Sequence, residues 1–140
     1  MKVIGKGKVG KSRDIEMVIS ILEFISKLSD RNIVKYSLSR IQNGNIINHF
    51  NKFQKIHLIG PKCSSFYLRD LSYIYPLDKE IKKEDLIYLQ PIDVWVKKIA
   101  LKAEIINENE KNEDVMRKSI VKTCLDSGVS ATEFNQEPGI

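Results

Sequence analysis

Three stretches of the chain carry residue types at spacings that could do chemistry. Residues 5–12 read GKGKVGKS, which satisfies the phosphate-loop pattern G-x-x-x-x-G-K-[ST]. In such a loop the glycines let backbone N–H groups surround phosphates, the lysine meets the terminal phosphates, and the serine holds Mg²⁺. Residues 56–71, IHLIGPKCSSFYLRDL, set an apolar helix end and a glycine-containing turn ahead of a second helix. Free N–H groups at the start of that helix suit a DNA phosphate. Residues 91–96, PIDVWV, put Asp93 at a helix start behind a proline.

The phosphate-loop match demands a strand before it, a helix after it and a parallel sheet with an acidic strand end. Met1–Ile4 would be the strand, and no apolar strand followed by Asp is found later. The pattern is also easily satisfied here, since residues 2–11 hold four lysines and three glycines. The preferred reading is a basic leader over 1–12, with Lys11 and Ser12 near a helix start where anions are favoured. The phosphate contacted would then belong to a nucleic-acid backbone, and an NTPase is the least favoured reading.

Taken in order, IGPK (59–62) and PIDVWV (91–96) resemble the helix-hairpin-helix superfamily of base-excision DNA glycosylases. The resemblance is closest to the bifunctional 8-oxoguanine glycosylases with AP-lyase activity, and it covers roughly residues 45–136. It implies that Lys62 is the Schiff-base nucleophile and Asp93 the catalytic carboxylate. It implies duplex DNA with a damaged base or an abasic site as partner, contacted through Leu58, Gly60 and Lys62, with Lys11 added from the leader. No cofactor and no metal are implied. Such enzymes flip the damaged base out of the stack. An amine then attacks the sugar, and a nearby carboxylate stabilises the cationic intermediate.

The chain departs from the family in three places. Leu58 stands where the first hairpin glycine is usual. Thirty residues (63–92) separate Lys62 from Asp93. About fifty residues precede the hairpin, fewer than the family's N-terminal half, so a minimal member, a fragment or a degenerate copy is expected, with a homodimer as one way to complete it. The other reading of each residue stays open: Lys62 as a phosphate contact in a non-catalytic DNA-binding module, and Asp93 as a helix cap.

The elements that must position these residues read as helices. Apolar residues recur at three and four positions over 14–29, 45–56, 61–74, 94–106 and 114–127, with a short helix near 83–89. Ser12, Pro61 and Asp93 serve as starts, and Gly128 as a stop. Ser130 to Glu133 reads as a capping box, followed by a polar tail from Phe134. Residues 30–44 show no clear period. Trp95, set among Val94, Val96 and Ile99, is expected in the core. The fold class is all-α, a helical bundle containing a helix-hairpin-helix, with one domain over 13–136 and a tail at 137–140.

Composition fits that picture. With 42% apolar and 29% charged residues in 140, the chain can bury one core. No run is long enough to span a bilayer and no signal peptide is seen, so a cytoplasmic, nucleoid-associated location is expected. The net charge of +5 favours a polyanionic partner. Cys63 and Cys124 form no metal spacing and are expected to be reduced and buried, and His49 and His57 stand alone.

Overall fold

The computed structural model describes residues 12–77 and 79–134. Every regular element among them is helical: α1 (Ser12–Ser26), α2 (Ile33–Gln42), α3 (Ile46–Phe53), α4 (Pro61–Ile74), α5 (Val94–Lys102) and α6 (Glu113–Ser127), with a 3₁₀ segment at Lys83–Leu89. The chain is therefore all-α over the described residues. None of these helices is long and apolar enough to cross a membrane.

Local chemistry explains most of the boundaries. Pro61 opens α4, where its missing N–H costs nothing and its φ is already helical. The Asp93 side chain caps α5, its Oδ1 accepting from the Val96 N–H at 2.8 Å. Asn112 caps α6 through the N–H groups of Asp114 and Val115. Gly128, at φ 71°, ends α6 in the left-handed conformation that glycine tolerates.

Several expectations need correction. Helix α2 fills the region without a clear period. Its stripe is Val34, Leu38 and Ile41, and Asn32 caps it by accepting from the Lys35 N–H at 3.0 Å. Ser12 lies inside α1 and is not its cap, and the helix ends at Ser26. Cys63 is exposed, and only Cys124 is buried. The Ser130 hydroxyl bonds the Thr132 hydroxyl at 2.9 Å, in place of a capping box. Phe134 packs against the core and is not part of a frayed tail. The tail at 137–140 lies outside the described residues.

Among the described residues the interior holds two apolar clusters. Ile41, Ile46, Phe50, Leu68, Leu71, Leu77, Ile81 and Leu89 join α2, α3 and α4. Ile92, Val96, Ala100, Met116, Ile120, Val121 and Cys124 join α5 and α6. Leu86 of the 3₁₀ segment packs against both. Helix α4 is central to the first cluster and buries Ser64, Ser65 and Ser72 beside Leu68 and Leu71. Helix α1 buries no residue fully. It is held by the Phe24 ring, edge-on to Tyr36 at 6.0 Å and to Phe53 at 5.7 Å.

His49 lies inside the first half, 1% exposed. Its Nε2 meets the Ser37 hydroxyl at 2.9 Å, and Ser37 donates in turn to the Ile33 carbonyl at 2.7 Å. The Ser37 hydroxyl also meets the Tyr67 hydroxyl at 3.0 Å, which joins His49, Ser37 and Tyr67 in one buried polar group. Nδ1 has no hydrogen-bond partner among the described residues. Burial pushes the imidazole pKa down to about 4, helped by the charges of Arg40 and Lys52.

The unfolded chain takes up this proton near pH 6.5, whereas the folded chain resists until about pH 4. His49 therefore adds stability that is complete above pH 6.5 and is lost as pH falls toward 4. About 3 kcal/mol is at stake, at roughly 1.4 kcal/mol per pK unit. Urea unfolding at pH 7 and pH 4.5 should show this loss, and His49→Gln should remove that part of the slope. An unchanged slope in the variant would refute the assignment.

Leu58 gives a second expectation. It sits in the turn between α3 and α4 at φ 67°, the region where a side chain costs about 1–2 kcal/mol. Leu58→Gly should stay within about 1 kcal/mol of the parent, because relief of strain offsets lost burial. Leu58→Val keeps more apolar surface yet should be the less stable of the two, since a β-branched residue fits that region worst. Urea midpoints would rank them, and the reverse order would refute the strain.

Candidate nucleic-acid interface and the Lys62–Asp93 site

The segment between α3 and α4 is a pair of tight turns. The Ile56 N–H bonds the Phe53 carbonyl, and the Ile59 N–H bonds the Ile56 carbonyl, each at 3.0 Å. Leu58 is the third residue of the second turn, where a positive φ is common and glycine is the usual choice. Leu58 holds this backbone shape at a steric cost. Gly60 follows in an extended conformation, φ −104° and ψ −172°. Nothing among the described residues lies within 4 Å of where its Cβ would be. Neither its own backbone nor its neighbours require glycine here, so open space faces it.

The N–H groups of Leu58, Gly60, Lys62 and Cys63 have no acceptor among the described residues. Pro61 contributes none. This leaves a short run of free donors at the N-terminus of a 14-residue helix, a setting that favours an anion. Lys62 is exposed in the first turn of that helix. Its ammonium lies 6.0 Å over the Phe66 ring, and the Arg69 guanidinium lies 4.8 Å over the same ring. Arg69 is bound to the neighbouring Asp70 carboxylate at 2.7 Å.

Asp93 is reached through a buried segment. Leu89, Gln90, Pro91 and Ile92 are all buried, and Gln90 is 0% exposed. The Arg117 guanidinium of α6 crosses to this segment and donates to the Gln90 carbonyl at 3.1 Å. The same side chain is held by Asp114 at 2.9 Å and by Glu113 at 3.7 Å. Asp93 thus follows a stretch fixed on both sides, and its Oδ1 is oriented by the Val96 N–H. Its second oxygen takes no hydrogen bond from the described residues.

Lys62 belongs to the first apolar cluster's helix and Asp93 to the start of the second cluster's helix. The 3₁₀ segment between them touches both clusters, so it sets their relation. The two side chains form no ion pair with each other. An open depression lined by Leu86, Leu125, Val129 and Thr132 contains neither. No group of three or more His, Cys, Asp or Glu fit to hold a metal ion occurs among the described residues.

The remaining expectations divide. Lys11, like the rest of the 5–11 match, lies outside the described residues. Among the described residues there is no strand, so the parallel sheet that a phosphate loop needs is not formed there. Trp95 is corrected: it is 67% exposed, not in the core. Helix α5 turns Val96 and Ala100 inward, and a residue next to an inward position in a helix points about 100° away. Reading Val94–Val96 as one apolar block hid that rotation. Arg117 was missed as well. Its acidic neighbours at i−3 and i−4 were a local signal, but its contact with Gln90 spans 27 positions. The chain matches no family model, no curated protein and no solved structure.

Proposed function

We propose that the protein is a DNA-repair protein of the helix-hairpin-helix glycosylase kind, combining base excision with AP-lyase chemistry. The observation that carries this reading is the run of free N–H groups around Gly60, set beside the exposed ammonium of Lys62. It supports a phosphate anchor with an amine next to it. The net charge of +5 favours the same polyanion. A cytoplasmic, nucleoid-associated location goes with this reading.

In this proposal the turn at 54–60 grips the DNA backbone, and Lys62 reaches the sugar from the start of α4. Its amine, in the neutral form, attacks C1′ of a flipped nucleotide. The glycosidic C–N bond breaks, and the base leaves with that electron pair and takes a proton. Opening of the sugar gives an iminium joined to Lys62. Loss of a C2′ proton then breaks the C3′–O bond and nicks the strand. Asp93 stabilises the positive charge at C1′ and relays the protons, its carboxylate held steady by the Val96 N–H. A simpler reading, a non-catalytic DNA-binding module, is favoured by one observation: Lys62 is exposed, as a phosphate contact would be.

Borohydride trapping on duplex DNA with an abasic or oxidised site separates the two. Wild type should form a covalent adduct, and Lys62→Ala should form none while keeping most duplex affinity. Asp93→Asn retains the cap, since Asn caps as well as Asp. It should fold and bind but react about 100-fold more slowly or worse. Absence of any adduct with wild type would leave the binding module.

The anchor has its own test. The backbone of Gly60 already suits a β-branched residue, and a threonine there can cap α4. Gly60→Thr should therefore keep its melting temperature. Its affinity should fall for damaged and undamaged duplexes alike, because the added methyl and hydroxyl fill space open to a phosphate. Unchanged duplex affinity would rule out this turn as the anchor.

A further inference from the structure

The outer face of α5 has no role in the chemistry just described. Trp95, Lys98, Ile99 and Lys102 follow the spacing i, i+3, i+4, i+7 and form one stripe. All four are exposed, opposite the buried Val96 and Ala100. The Lys98 ammonium sits 5.0 Å over the Trp95 ring. Lys97 turns aside to Glu113, at 3.7 Å. The helix, VWVKKIALK, has three lysines and no acidic residue. The stripe begins two residues after Asp93.

An indole ring two-thirds exposed leaves a large flat apolar surface in water. A ring flanked by cations and by no carboxylate of its own helix is suited to a polyanion with flat apolar faces. A nucleic-acid strand has both features. Unstacked bases pile onto aromatic rings, while lysines one turn apart, about 6 Å along the axis, follow the phosphates. A protein partner matched to this stripe would need an acidic rim around an apolar centre, and a second copy of this helix offers only more lysine.

We propose that the outer face of α5 binds an unstacked DNA strand, with Trp95 stacking on a base and Lys98 and Lys102 on the adjoining phosphates. In naming DNA as the occupant beside Asp93, this rests on the function proposed above. It adds a second contact surface, separate from the turn at 54–60, that selects opened over intact duplex.

Trp95 is the chain's only tryptophan, so its fluorescence reports on this surface alone. The full chain is titrated with a single-stranded oligonucleotide, an intact duplex and a duplex containing an abasic site. Emission should be quenched by the single strand and by the abasic duplex, and much less by the intact duplex. Trp95→Ala should weaken single-strand binding about 5- to 100-fold, the range for loss of one stacked base. Trp95→Phe should recover most of it, which a purely structural role for the ring would not predict to track stacking. Lys98→Ala should lower the single-strand salt slope by about 0.7.

Each other outcome is decisive. If the abasic duplex binds and traps normally but the emission does not change, this surface is refuted and the glycosylase reading survives. If quenching and the Trp95→Ala loss occur without any trapping, the surface stands and the catalytic reading falls. If no DNA binds, both fall. If emission depends on protein concentration and not on DNA, and Trp95→Ala abolishes that dependence, the face joins two copies of the chain and the proposal is overturned.

Discussion

Arg117 ties the two halves of the molecule at one backbone oxygen. Arg117 is 6% exposed; its guanidinium donates to the Gln90 carbonyl and to the Asp114 carboxylate, with the Glu113 carboxylate 3.7 Å away. A charge so far from water survives only with such partners, because an unpaired buried guanidinium would cost several kcal/mol. A charged hydrogen bond to a buried carbonyl contributes about 1.5–3 kcal/mol. Gln90 is wholly enclosed, so its carbonyl would otherwise go unsatisfied. The bond holds the short segment that carries Leu89 into one cluster and Ile92 into the other.

The two clusters differ in how they are built. The α5–α6 half is aliphatic, closed by Ala100 and Ile120, both 0% exposed. The α2–α4 half adds a set of touching rings, with Phe24, Tyr36, His49, Phe53 and Tyr67 meeting within 4.2–6.0 Å. That set joins Phe24 of α1 to rings of α2 and α3. Ile15, Val18, Ile19 and Leu22 of α1 remain exposed. The aromatic half also holds the buried polar chain from His49 through Ser37 to Ile33. Such a chain resists any shift of α2 against α3, because either movement would strand a buried donor. The turn at 54–60 leaves α3 directly after this rigid region, which gives its free N–H groups a fixed platform.

Much of this was legible in the residues themselves. Helix α4 runs over 61–74 as its apolar spacing and Pro61 require, the 3₁₀ segment fills 83–89, and Asp93 and Gly128 bound their helices. These are local effects: a ring that fixes φ, a carboxylate three residues from an N–H, a glycine free to turn left-handed. The stripe of α2 was also present, in Val34, Leu38 and Ile41 behind Asn32. Serines and β-branched residues blurred it, and burial of Ser37 against Tyr67 made the helix firm.

The site shows the same division. The residue types at 58–62 and at 93 could be read as a turn, an amine and a capping carboxylate, because each depends on neighbours within four positions. Their surroundings depend on distant partners. Whether Trp95 faced the core was decided by which side of α5 met α6, and one step of about 100° turned it to solvent. Whether His49 was an isolated side chain or a buried one was decided by α2 closing over α3, twelve positions away. The sequence alone determined most of the helices, the caps at Asp93 and Gly128 and the chemical groups at each turn. Tertiary packing decided which of those groups lost water and which kept it, because burial is a property of elements meeting in space.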